Sequence, residues 1–152
     1  MLFEASAHVP LLVAGAGVSA KGRGCGRTVE HLDLYPTLAE LCELKGTPAE
    51  LHGRSLVPLL SDPESAWDRP AITQVGRMVG SNSVMGYSLR TERYRYTMWG
   101  EGGVEGEELY DYRDDPAEGK NLAKHGGSTQ IKSRLRADLE RICAERRASA
   151  RA

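Results

Sequence analysis

Apolar residues recur along this chain in three rhythms, and each predicts a different kind of element. Residues 9–18, VPLLVAGAGV, are almost continuously apolar and leave through glycine, which predicts a buried strand. Residues 30–44, EHLDLYPTLAELCEL, place Leu34, Leu38, Leu41 and Cys42 three and four apart, the spacing of one helix face. Pro36 falls in the first turn of that helix, where a missing N–H costs little, and Gly46 and Pro48 stop it. Residues 52–70 form a short apolar segment between turn residues and end in a loop rich in Pro, Asp and Ser.

The second half changes to period two. AITQVG (71–76) predicts a strand, and RMVGSNSVMG (77–86) reads as a flexible connection because of its glycines and serines. GYSLRT and RYRYTMW then predict two strands joined tightly at Thr91-Glu92. In the latter, Tyr94, Tyr96 and Met98 alternate with Arg93, Arg95, Thr97 and Trp99, which predicts one apolar face and one basic, wetted face. A glycine-rich loop leads to a further strand, EELYDYRDD, and DDPAEGKNLA turns the chain. The last rhythm is helical again: Ile131, Leu135, Leu139 and Ile142 stripe residues 128–148, with the charged tail beyond Cys143 expected to fray.

Together these elements predict an α+β fold. A strand and helix come first, followed by a small antiparallel sheet of three to four strands covered by a C-terminal helix. The 152 residues suit one domain with a single core.

Charge narrows the function. With 20 basic and 21 acidic residues the net charge is -1, so bulk charge gives no support to nucleic-acid binding. The apolar run at 9–18 is interrupted by Pro10, Gly15 and Gly17 and has no basic flank, so it reads neither as a membrane span nor as a signal peptide. Cys25, Cys42 and Cys143 form no CxxC pair and no Cys/His cluster, which argues against zinc, and the sequence selects no disulfide among them.

Candidate chemistry is sparse. The loop AGAGVSAKGRGCG follows an apolar run but fits neither glycine-rich phosphate motif. His8, His31, His52 and His125 are scattered, without the paired spacing of a metal site. Asp33 or Thr28 reads as a helix cap, and Asp114-Asp115 before Pro116 as a turn. Arg90, Arg93 and Arg95 admit two readings: cross-strand pairing with Glu92, Glu107, Glu108 or Asp111, or contact with an anionic ligand.

Taken in order, five segments resemble the C-terminal part of a sulfatase, within the alkaline-phosphatase-like superfamily. They are LFEASAHVPLLVAGAG, VEHLDLYPTLAELCEL, LHGRSLVPLL, GYSLRTERYRYTMW and ELYDYRDDPAEGKNLA, and the last two are most similar to the iduronate-2-sulfatase branch. The resemblance implies sulfate-ester hydrolysis with a formylglycine, made from the cysteine or serine of a C/S-x-P/A-S-R motif, and a divalent metal, calcium. No such motif surrounds Cys25, Cys42 or Cys143, so no catalytic residue, metal ligand or cofactor site is expected within this chain. It is expected to be inactive alone. Residues 1–62 then correspond to the tail end of the catalytic α/β domain and 63–152 to the C-terminal subdomain.

The same resemblance implies a sulfated saccharide as substrate of the complete enzyme and puts Arg77 on the side of the substrate pocket, where it either helps bind substrate or braces the wall; the alternative is an internal ion pair with Asp or Glu. It also implies a parent that is often periplasmic, secreted or lysosomal. The rival expectation is a stand-alone interaction domain that self-associates through the exposed edge of its N-terminal strand.

Overall fold

A computed structural model describes residues 2–149. Its helices are α1 (Glu4–Ala7), α2 (Leu34–Leu41), α3 (Val57–Ser61) and α4 (Thr129–Ser149). Its strands are β1 (Ala71–Val79), β2 (Asn82–Arg90), β3 (Tyr94–Trp99) and β4 (Gly106–Asp111). The mixed α+β class expected from the sequence is what the chain adopts. It divides into two compact units, residues 10–69 and residues 1–9 with 70–152.

The larger unit is built on one antiparallel sheet in the order β1-β2-β3-β4. β1 and β2 stay paired from Ala71↔Arg90 to Val79↔Asn82, so only Gly80 and Ser81 turn the chain. Gly80 supplies the positive φ, 62°, that so short a hairpin needs. The flexible connection expected at 77–86 is therefore two strand ends and a tight turn. The glycine and serines suggested a loop, but alternation continues through Arg77, Met78, Val79 and then Ser83, Val84, Met85. Between β2 and β3, the Thr91 hydroxyl accepts the Tyr94 N–H at 2.9 Å, closing the predicted turn.

The register sorts side chains onto two faces. Leu89, Tyr96, Met98 and Leu109 point to one face, where they pack with Leu135, Leu139 and Cys143 of α4. This is the predicted helix stripe, with Ile131 and Ile142 at its margin. The helix runs on through Ser149 past the expected fraying point, supported by an Arg141–Glu145 ion pair at 3.0 Å.

The opposite face carries Val75, Val84, Gly86, Arg95, Thr97 and Trp99, and here expectation and structure part. Arg95 is 1% exposed and Thr97 fully buried. Residues 2–7 lie across this face. Leu2 packs with Val84 and Trp99, the Phe3 ring lies 6.1 Å from that of Tyr110, and the Glu4 carboxylate meets Arg90 and Arg95. Alternating polarity correctly separated the faces. It could not reveal that a distant segment covers the basic one and brings its own acid.

The smaller unit departs more from the sequence reading. Residues 9–18 form no strand, because a strand needs a ladder partner and every described strand lies between 71 and 111. Leu12 is left 88% exposed. α2 forms where predicted, after a 3-10 turn at His31–Asp33, but its buried side is Asp33, Thr37 and Ala39. Leu38, on the expected core stripe, is 55% exposed.

Asp33 organises this unit. One carboxylate oxygen accepts the Glu30 N–H at 2.9 Å, as the third-position acid of a capping box begun by Glu30 and not as the cap of α2, and the other accepts the Arg54 N–H at 2.8 Å. Arg69 completes the set at 3.5 Å. Thr28 is not a cap; its hydroxyl donates to the Arg69 carbonyl at 3.2 Å. A small core of Leu56, Leu59 and Trp67 closes over Val29, and the indole N–H reaches the Thr28 carbonyl at 2.8 Å.

Candidate functional site

The larger unit contains the two arrangements with chemical potential, both on the sheet face covered by residues 2–7. The first centres on Arg95 of β3. It donates to Glu4, to the Tyr112 hydroxyl at 2.8 Å and to the Ser88 hydroxyl at 3.2 Å, and lies 2.7 Å from Glu118. Glu118 in turn accepts from the Tyr112 hydroxyl at 2.5 Å and from the Glu4 N–H at 2.8 Å. Glu118 has positive φ, 56°, unusual for a residue with a side chain, and this ring of donors fixes its carboxylate.

Electrostatics follow from those contacts. Burial alone would raise the Glu4 pKa, but hydrogen bonds and charge from Arg90 and Arg95 hold it below the ordinary value of 4.5. Burial and the hydrogen bond to Glu118 push the Tyr112 phenol up. Every polar group in this set is satisfied by another, so it braces the sheet and offers no free acid, base or nucleophile.

The pairing anticipated from the sequence is thus correct for Arg93, which grips Asp111 at 2.7 Å, and wrong for Arg90 and Arg95. Their partners, Glu4 and Glu118, lie outside the sheet, and sequence reasoning passed over both. A lone acid within LFEASA is the signal that was available for Glu4.

The second arrangement holds Arg77. It projects from β1 on the same face as Val75, exposed to solvent, with its guanidinium carbon 3.8 Å from the centroid of the Trp99 ring. Trp99 reaches there across Gly86, its direct partner in β2. A Cβ at Gly86 would stand 2.5 Å from the indole, so only glycine lets the ring lie flat. The indole N–H donates to Glu108 at 3.1 Å. The alternative internal ion pair for Arg77 is not found among the described residues.

Among the described residues no three His, Cys, Asp or Glu side chains converge, and no step through a metal or formylglycine is derived from them. Cys25 and Cys42 are exposed and free; Cys143 is buried, which pushes its thiol pKa up. No described helix is long and apolar enough to cross a membrane. His8 lies 3.4 Å from Glu4 on α1, and Asp115 accepts the Gly119 and Lys120 N–H groups, the turn expected there.

Comparison with known proteins gives these arrangements a context. Residues 1–145 match the family model for N-sulphoglucosamine sulphohydrolase, C-terminal. The chain is 35% identical over 144 residues to a Delta 4,5-hexuronate-2-O-sulfatase of Bacteroides thetaiotaomicron, covering 91% of this chain and 29% of that protein. Human arylsulfatase K is 33% identical over 129 residues, 80% of this chain and 23% of its own length. A solved 2-O GAG sulfatase superposes with a TM-score of 0.74 at 32% identity, over 91% of this chain and 30% of its own. The chain therefore spans less than a third of the length of these relatives.

Proposed function

This chain belongs to the family of sulfatase C-terminal regions, and from that premise we propose that it is the C-terminal part of a sulfate-ester hydrolase acting on a sulfated hexuronate within a saccharide. One observation carries the reading: 91% of the chain aligns with a hexuronate-2-O-sulfatase, of which it spans 29%. An iduronate-2-sulfatase-like specificity belongs to the same chemical class, a uronic acid bearing a sulfate ester.

Within this reading, residues 1–62 are the tail of the catalytic domain and 63–152 the C-terminal subdomain. The formylglycine and the calcium-binding acids belong to the remainder of the parent, since no C-x-P-S-R motif surrounds any cysteine here. The chain alone is inactive. Its own contribution is a braced wall, with Arg77 on the substrate side. A guanidinium fork suits either anionic group of a sulfated uronic acid.

The test is a chimera in which this chain replaces the matching 29% of the Bacteroides relative. The chimera is expected to release sulfate from a 2-O-sulfated unsaturated hexuronate with calcium present, and the 152-residue chain to release none. A well-folded chimera without sulfatase activity would overturn the reading, as would hydrolysis by the chain alone. A second reading, self-association, rests on β1 as a sheet edge with Met78 and Val79 exposed. A concentration-dependent dimer in sedimentation, blocked by a proline at Met78, would favour it.

A further inference from the structure

We propose that Trp99 is a positioning residue that holds Arg77 ready as an anion contact, and that the group it takes is a carboxylate or sulfate of a saccharide. This deepens the hydrolase reading and rests on it for the identity of the ligand.

The sheet arginines divide sharply in their partners. Arg90, Arg93 and Arg95 each meet a carboxylate. Arg77, among the described residues, meets none in ion-pair range and instead stacks on an indole. Stacking occupies the face of a guanidinium and leaves its in-plane N–H donors free, the geometry in which arginine receives an oxyanion. Arg90 shows what such a stack permits: its guanidinium carbon lies 3.6 Å from the Tyr112 centroid while its donors hold Glu4 at 3.1 Å, whereas Arg77, at 3.8 Å over Trp99, has no acid in place among the described residues.

The platform beneath is immobilised from several sides. Gly86 gives the ring room to lie flat, Leu2 and Val84 pack against it, and Glu108 holds its N–H. Glu108 is the acid near this indole, and its other oxygen accepts from the Tyr110 hydroxyl at 3.3 Å, so it is engaged at both ends. A side chain serving only to cover Trp99 needs no charge; methionine would cover it as well. A contact needs the fork, and here the conformational cost of holding a long side chain is met before any ligand arrives.

The experiment uses the 152-residue chain, isotope-labelled, titrated at constant ionic strength with sodium sulfate, with methyl glucuronide and with neutral methyl glucoside. The Arg77 Nε–H and Trp99 indole N–H resonances are expected to shift with the two anions and not with the glucoside. The stronger anion identifies the substrate group received. Arg77→Met should keep the melting temperature and abolish the response, Arg77→Lys should weaken it roughly tenfold, and Trp99→Phe should leave a weakened response. In the active chimera, Arg77→Met should raise KM and leave kcat nearly unchanged. Equal responses from Arg77→Met and the parent chain, or no response to either anion, would overturn the proposal. An active chimera without anion-dependent shifts sinks this inference alone; anion binding with an inactive chimera sinks the hydrolase reading and leaves the contact standing.

Discussion

Arg95, itself 1% exposed, donates to the half-buried carboxylate of Glu4, a residue 91 positions earlier in the chain. Removing Glu4 leaves buried Arg95 with Glu118 as its remaining acid and takes the carboxylate from Arg90 as well. Glu4→Ala is expected to cost about 3 kcal/mol of stability, and Glu4→Gln less, because the amide still accepts a hydrogen bond. Urea denaturation followed by tryptophan fluorescence checks this; a change under about 0.5 kcal/mol would show that water replaces Glu4 at no loss.

Gly86 and Trp99 give a second, purely steric expectation. A methyl at Gly86 would lie 2.5 Å from the indole and 2.8 Å from Leu2, against neighbours already packed. Gly86→Ala should destabilise by about 2 kcal/mol. It should also displace the ring from beneath Arg77, seen as a changed near-ultraviolet dichroism band. An unaltered spectrum would mean that the indole does not lie flat over this glycine.

In the smaller unit the sensitive position is Asp33. Loss of its buried carboxylate takes the acceptor from the part-buried N–H groups of Glu30 and Arg54 and the counter-charge from Arg69. Asp33→Ala should cost about 3 kcal/mol, and Asp33→Asn should recover part of it. Amide exchange at Glu30 and Arg54 locates the effect, since both should lose protection in the alanine variant.

Acid should unfold the larger unit through its paired carboxylates. Burial would raise the pKa of Glu4 and Glu107, but Arg90 and Arg95 for the first, and Tyr96 and Lys132 for the second, bring both below 4.5. The hydrogen bond from Arg93 brings Asp111 below 3.8. Because the folded values are depressed, the stabilisation is fully present above the unfolded values and disappears as pH falls through the folded ones. Stability should be level from pH 7 to about 5 and fall steeply below about 4. Urea midpoints across this range test it, and Glu4→Gln should flatten part of the slope.

Legibility in the sequence followed what each pattern physically encodes. Period two in RYRYTMW gave the strand and its two faces, and the stripe Ile131-Leu135-Leu139-Ile142 gave the helix that covers one of them. Local periodicity reports which side chains share a side; it carries no information about what lies on that side. For that reason the Arg95 face was read as wet, and the Leu38 side of α2 as buried. Residues 9–18 failed for a related reason, since an apolar run becomes a strand only beside another strand. Arg77 was read as part of a flexible connection, and the register joining β1, β2 and β3 was needed to set it on the sheet with Trp99 beneath it.

The placement of residues 2–7 across the sheet has a consequence for biosynthesis. The Glu4 N–H bonds to Glu118, 114 positions later, so a ribosome delivers the strap long before the surface it will clasp. Leu2 and Glu4 meet Val84, Trp99, Arg90 and Arg95 only once β3 has emerged, and the clasp to Glu118 closes later still. The entropy of closing so long a loop grows only slowly with its length, yet contacts of this range slow folding. The nascent polypeptide therefore passes through an interval in which the strap waits for its sheet and is then only partly clasped, and a chaperone that recognises apolar strands has its opportunity in that interval.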